Sequence, residues 1–121
     1  IIDDYFLEDK PENLLKNGKF KKCSILLGVN NNEGILFYQG LPDFQNLQDI
    51  LKEPDITYEK LINYLDFLFY YYPKYPLLSS EKLRNAIKYR YSNWKNLNDT
   101  SENLNNLDKA GGDFLFTCPT V

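Results

Sequence analysis

The chain has 121 residues, enough for one modest domain with a single core, and a formal net charge of −3 with acidic and basic residues interspersed. No basic stripe runs along it, which argues against a nucleic-acid partner. Without any histidine, the chain holds neither a Ser-His or Cys-His catalytic pair nor the usual His metal sites.

Its two cysteines, Cys23 and Cys118, lie far apart and make no zinc or redox motif. No apolar run is long enough to span a membrane, so any membrane association is expected through an anchor outside this chain. The sequence opens at Ile1 with neither an initiator Met nor a signal peptide, and it stops shortly after Cys118-Pro119. Both ends read as cuts, and the expectation is an internal, partial domain covering residues 1–121.

In chain order, Pro11 suits the first turn of a short helix through Lys16, with Glu12 near its positive end and Gly18 as its stop. Next comes the apolar run Ser24-Ile25-Leu26-Leu27-Gly28-Val29, bounded by Asn30-Asn31-Asn32. Such a run between turn residues predicts one buried strand. Glu33 stands just past its end, and in open α/β sheets chemistry gathers outside the carboxyl ends of strands. Residue type alone does not separate a catalytic acid here from a solvated turn or first-turn helix carboxylate.

Gly34 to Tyr38 predicts a short helix or turn, ended by Gly40-Leu41-Pro42. Leu41 to Asp55 reads as a connector with a helical turn around Asn46 to Leu51. Thr57 to Tyr72 predicts a helix: Thr57 caps it, Leu61, Leu65, Leu68 and Tyr72 share one face, and Pro73 and Pro76 stop it. The aromatic crowd at its end reads as core rather than a ligand cage. Ser79 to Tyr91 predicts a second helix, capped by Ser79 or Ser80, with Leu83, Ala86, Ile87 and Tyr91 on its apolar face. Lys95 to Asn106 reads as a polar loop carrying the sequon Asn98-Asp99-Thr100, a candidate glycosylation site at Asn98.

Four stretches carry a family resemblance, in order and over nearly the whole chain. They are Ile2-Asp3 with Asn17-Gly18 and Phe20-Lys21-Lys22; Leu26-Leu27-Gly28-Val29-Asn30-Asn31-Asn32-Glu33-Gly34; Tyr91-Ser92-Asn93-Trp94; and Leu107-Asp108 through Gly112-Asp113 to Phe116-Thr117-Cys118-Pro119-Thr120. Together they resemble the cholinesterase and type-B carboxylesterase family, and the last is most similar to arthropod acetylcholinesterases. The resemblance implies an α/β fold: a fragment of an α/β-hydrolase, one buried strand followed mostly by helices.

By the same resemblance Glu33 is the acid of a Ser, Glu, His triad whose other two members lie outside this chain. Leu36 and Phe37 fall at substrate-facing positions, and Leu36 replaces an aromatic against which a quaternary ammonium packs in choline esterases. Cys118 matches a cysteine whose disulfide partner lies downstream. Cys23 reads as a small buried residue without a partner, although sequence leaves a Cys23–Cys118 bond open. Asp113 matches an aspartate in a buried salt bridge to an arginine beyond the chain. No cofactor is implied.

The implied function is a secreted or cell-surface, synaptic serine ester hydrolase, an acetylcholinesterase. It would be a homodimer through the helix Ser80 to Tyr91, with Arg84, Lys88 and Tyr91 as its polar face. The alternatives are a non-catalytic adhesion relative of neuroligin type and a generic carboxylesterase. A Gly-x-Ser-x-Gly elbow upstream and a His downstream separate enzyme from adhesion protein.

Overall fold

Helices form where the sequence supplies capping or stop signals, an apolar stripe, or both. In the computed structural model, which describes residues 2–3, 5–71 and 80–120, the first is α1, Pro11–Lys16. Proline stands at its first position, Glu12 in its first turn, and Gly18 follows at φ +67°. That left-handed value is the one a glycine stop provides. A 3₁₀ helix, Gly34–Tyr38, follows the Asn turn. A second 3₁₀ segment, Pro42–Phe44, leads into α2, Leu47–Lys52, with Asn46 before it.

Two longer helices follow: α3, Tyr58–Tyr71, and α4, Glu81–Arg90. The Thr57 hydroxyl accepts the Lys60 N–H at 3.3 Å and caps α3. Leu61, Leu65 and Leu68 are buried along α3 as their spacing predicts. Tyr72, Pro73, Pro76 and Ser79 lie outside the described residues, so the expected end of α3 and the Ser79 cap are not placed.

On α4, Leu83, Ile87 and Tyr91 pack against the core while Ala86 is exposed. The expected polar face is largely engaged within the chain. The Lys88 ammonium pairs with Asp66 of α3 at 2.6 Å, and the Tyr91 hydroxyl donates to Asp113 at 2.7 Å. Arg84 also has a partner. Ser80 precedes the helix without a side-chain cap bond.

Two expectations are corrected. The polar loop expected over Lys95 to Asn106 is for the most part helix: α5, Thr100–Gly112, starts inside it. Asp99 caps α5 by accepting the Glu102 N–H at 3.0 Å. Leu104, Leu107, Ala110 and Gly111 then fall on one buried face. Asn103, fully buried on that face, donates to the Ile56 and Leu97 carbonyls at 3.1 and 3.0 Å. The helix continues through a π-helical segment, Asp113–Thr117, into Cys118–Thr120.

The second correction concerns the strand. Among the described residues no strand forms, and 21–30 run as exposed irregular backbone. Leu26 is 99% exposed, and Ile25 and Leu27 are also open to solvent. A helix satisfies its own N–H and C=O groups, whereas a strand needs a neighbouring strand to pair with. The described residues contain none. Cys23, expected buried, is exposed for the same reason.

The core therefore sits among the helices. Tyr38, Phe44, Ile56, Leu61, Leu65 and Leu107 are almost fully enclosed. Each such side chain contributes about 1.5–3 kcal/mol by leaving water. Helix α5 packs against both the 3₁₀ helix and α3, and α4 packs against α3.

Candidate functional site

Glu33 is half-buried at the N-terminus of the 3₁₀ helix, with φ −83° and ψ −20°. The chain turns sharply just before it, where Asn32 adopts φ +64°, a left-handed value asparagine tolerates. The Glu33 carboxylate is held locally. Its Oε1 accepts the Asn30 backbone N–H at 3.1 Å and also the Asn30 side-chain amide.

The period of three residues per turn sorts the side chains that follow. Ile35 and Tyr38 point into the core. Glu33 and Leu36 share the next edge, with Leu36 52% exposed. Gly34 and Phe37 form the third edge, against α5 and its continuation. Phe37 is 39% exposed, and its ring stands 5.7 Å from that of Phe116.

Gly34 is where this segment meets the helical body. A Cβ added there would overlap the Asp108 carbonyl and the Gly112 nitrogen, and one added at Gly111 would come within 2.9 Å of the Gly34 Cα. Backbone therefore lies directly on backbone, an approach that only glycine allows on both sides. The adjoining Ile35 N–H donates to the Asp108 carboxylate at 2.7 Å. Asp108 is itself buried. Desolvation raises its carboxyl above the usual range, and the Ile35 and Gly34 amides oppose that shift. Sequence reasoning passed over Asp108 except as part of the family resemblance. The available signal was a charged residue beside the stripe Leu104, Leu107, Ala110 and Gly111.

The structure thus brings Glu33, Leu36 and Phe37 together on one short 3₁₀ segment, with Cys118 two residues past the Phe116 ring that faces Phe37. Asn98 is exposed immediately before the α5 cap. Cys23 and Cys118 are both exposed free thiols, so the open alternative of a bond between them is not realised. Asp113 accepts the Tyr91 hydroxyl, and burial followed by that bond pushes the Tyr91 phenol upward.

Among the described residues no group of His, Cys, Asp and Glu could hold a metal ion, and no helix is long and apolar enough to cross a membrane. An open groove of about 530 Å³ is lined by residues including Pro42, Asp43, Asn46, Asp55 and Lys60, and by none of Glu33, Leu36 or Phe37. Lys60 pairs with two of its acids. The Lys60 ammonium lies 3.3 Å from Asp43 and 3.0 Å from Asp55. The Tyr64 hydroxyl donates to Asp43 and, ahead of Lys60, holds that carboxyl below its ordinary value.

Glu33 is thus an oriented carboxylate in a chain that has no histidine to stand beside it. Comparison with known proteins identifies the setting. The family model described as the carboxylesterase family matches residues 1–121. Acetylcholinesterase of Myxine glutinosa is 34% identical over all of this chain, which spans 33% of that protein. Acetylcholinesterase of Bungarus fasciatus is 32% identical over all of the chain and 18% of its own length. Neuroligin-3 of Mus musculus is 31% identical, again over all of the chain and 14% of its own length. No solved structure gives a significant match. By the match along its whole length, the chain belongs to the carboxylesterase family.

Proposed function

We propose that this chain is the acid-bearing segment of a serine carboxylic-ester hydrolase, an acetylcholinesterase that cleaves acetylcholine to choline and acetate. The observation that carries the reading is the seat of Glu33. An oriented carboxylate stands at the head of a turn anchored on the helical body, in a chain that matches the family from end to end. In the family's α/β-hydrolase fold the acid follows the serine and precedes the histidine.

Both Asn30 bonds fall on Glu33 Oε1, which leaves Oε2 to accept an imidazole N–H. That bond fixes the tautomer of the base and stabilises the imidazolium formed when the serine attacks the ester. Leu36, exposed beside Glu33 on the same edge, would face the ammonium end of the substrate, with Phe37 next to it. The serine, the histidine and the oxyanion hole would come from the longer protein, and the chain by itself would hydrolyse no ester. No cofactor enters this chemistry.

The rest of the reading follows the family. The protein would act outside the cell, secreted or at the synaptic surface, with Asn98 glycosylated and Cys118 in a disulfide to a residue beyond this chain. It would dimerise through Ser80 to Tyr91. Because Lys88 and Tyr91 are engaged internally, the outer face of α4, with Lys82, Asn85, Ala86 and Tyr89, is the one left to meet a partner.

The test is Glu33→Gln in the full-length protein, with acetylthiocholine as substrate. The fold should persist while kcat falls by about 10⁴-fold, as when a triad acid is neutralised. Near-normal turnover would rule out the role. The similarity to neuroligin-3 favours one second reading, a non-catalytic adhesion protein. A full-length sequence lacking the Gly-x-Ser-x-Gly elbow and a downstream His would establish it. A generic carboxylesterase would differ only in substrate.

A further inference from the structure

We infer that Asp108 is a positioning residue for Glu33, acting through the backbone of Gly34 and Ile35. The inference rests on the triad role proposed for Glu33. Glu33 and Asp108 lie far apart in sequence, yet the two are joined by a single structural unit. The Ile35 N–H donates to Asp108 Oδ1 at 2.7 Å, buried from solvent. The Gly34 amide acts on the same carboxylate. That amide belongs to the Glu33–Gly34 peptide, whose plane sets ψ of Glu33 and so the direction in which its side chain leaves the backbone.

Gly34 is simultaneously pressed against Gly111 and Gly112, with no room for a side chain on either face of the contact. The Asn30 bonds hold the far end of the Glu33 side chain, and those come from the exposed arm that precedes it. The rigid hold on Glu33 therefore comes from α5. A carboxylate suits the task because it accepts the Ile35 amide at the open end of the 3₁₀ helix, where N–H groups lack partners. The arrangement also accounts for a charged residue on the buried face of α5, which packing alone would not place there.

A residue with this function alters turnover more than substrate binding. Displacing a reacting group by about 1 Å costs on the order of 10²-fold in rate. The experiment uses the full-length protein with acetylthiocholine, counting active sites by titration with an irreversible serine-directed phosphorylating reagent, so that unfolded molecules drop out. Asp108→Ala should lower kcat per titrated site by tenfold or more with KM changed less than about threefold. Asp108→Asn, which keeps one weaker acceptor and the shape, should fall between wild type and Asp108→Ala, and it serves alone if the alanine variant does not fold.

The decisive comparison adds Glu33→Gln. If Asp108 works through Glu33, the double variant loses no more than Glu33→Gln by itself. An unchanged kcat per titrated site in Asp108→Asn and Asp108→Ala, or losses that multiply with Glu33→Gln, would overturn the inference while leaving the triad role standing. Unchanged turnover in Glu33→Gln would overturn the triad role itself.

Discussion

Two regions of this chain both carry leucine-rich stretches and differ in fate. In the helical body, from Gly34 onward, the leucines on core-facing positions disappear from solvent: Leu61, Leu65 and Leu107 are 0% exposed. In the arm before Glu33, Leu26 is 99% exposed and Ile25 71%. Hydrophobicity is equal in the two places, so it does not decide burial. What decides it is whether the backbone can be satisfied locally. Helices close their own hydrogen bonds and need only a face to pack. The arm's run has the composition of a central strand and needs strands on both sides. Glu33 stands at the boundary, its backbone fastened to the body and its carboxylate bonded to the arm.

Substitutions separate the regions, and the largest stability effect is expected at their junction or in the core. Leu65→Ala or Leu107→Ala should cost about 2–5 kcal/mol, because each empties a closed site. Leu26→Ala in this chain should change stability by less than about 0.5 kcal/mol. Urea denaturation followed by circular dichroism checks both. Equal losses at Leu26 and Leu107 would break the comparison.

Gly111→Ala comes next. The added methyl meets the Gly34 Cα at 2.9 Å, backbone that cannot swing aside. A loss of about 1–3 kcal/mol is expected from overpacking, despite the better helix propensity of alanine. A stabilised Gly111→Ala variant would mean that the 3₁₀ helix does not lie on α5. Removing the α5 cap is smaller: Asp99→Ala should cost about 1 kcal/mol, read from the same denaturation curves.

The smallest effect is one of pH. Burial raises the Asp108 carboxyl above its ordinary value of 3.8, so the folded chain holds that proton more tightly than the unfolded one. Its contribution to stability is therefore present at low pH and is lost as pH rises from about 3.8 through the raised folded value. Asp43 has the opposite sign. Its lowered carboxyl contributes above 3.8 and loses that contribution as pH falls through its folded value. Asp108→Asn should remove the first dependence and leave the second, seen as a change in the slope of stability against pH on the alkaline side of 3.8 alone.

The elements legible in the sequence are those signalled locally. Pro11 and Gly18 frame α1, Thr57 caps α3, and the leucine spacing of α3 sets its buried face. Helix α5 was hidden by its own composition. Asn103, Asn105 and Asn106 read as loop. Yet Asp99 with Glu102 three residues on is a start signal. Gly111 is there for Gly34, a contact between residues far apart that no local pattern records. Asn103 is polar because it serves the nearby Leu97 carbonyl and that of Ile56, the latter likewise distant information.

The site divides the same way. Residue type alone left Glu33 indistinguishable from a turn acid, and family likeness singled it out. The turn that groups it with Leu36 and Phe37 follows from the 3₁₀ period. Asp108 became visible only in three dimensions. Cys23 and the run after it were misplaced together, because both were assigned the burial that a completed sheet provides.

Hydrogen exchange tests the division between arm and body most directly. In this 121-residue chain the amides of 24–29 should exchange at nearly free rates, while Ile35 and the middles of α3 and α5 are protected. In the longer protein proposed above, the amides of 24–29 should become protected as a strand and Ile35 should remain so. Protection of 24–29 in the chain alone, or free exchange at Ile35, would contradict the account.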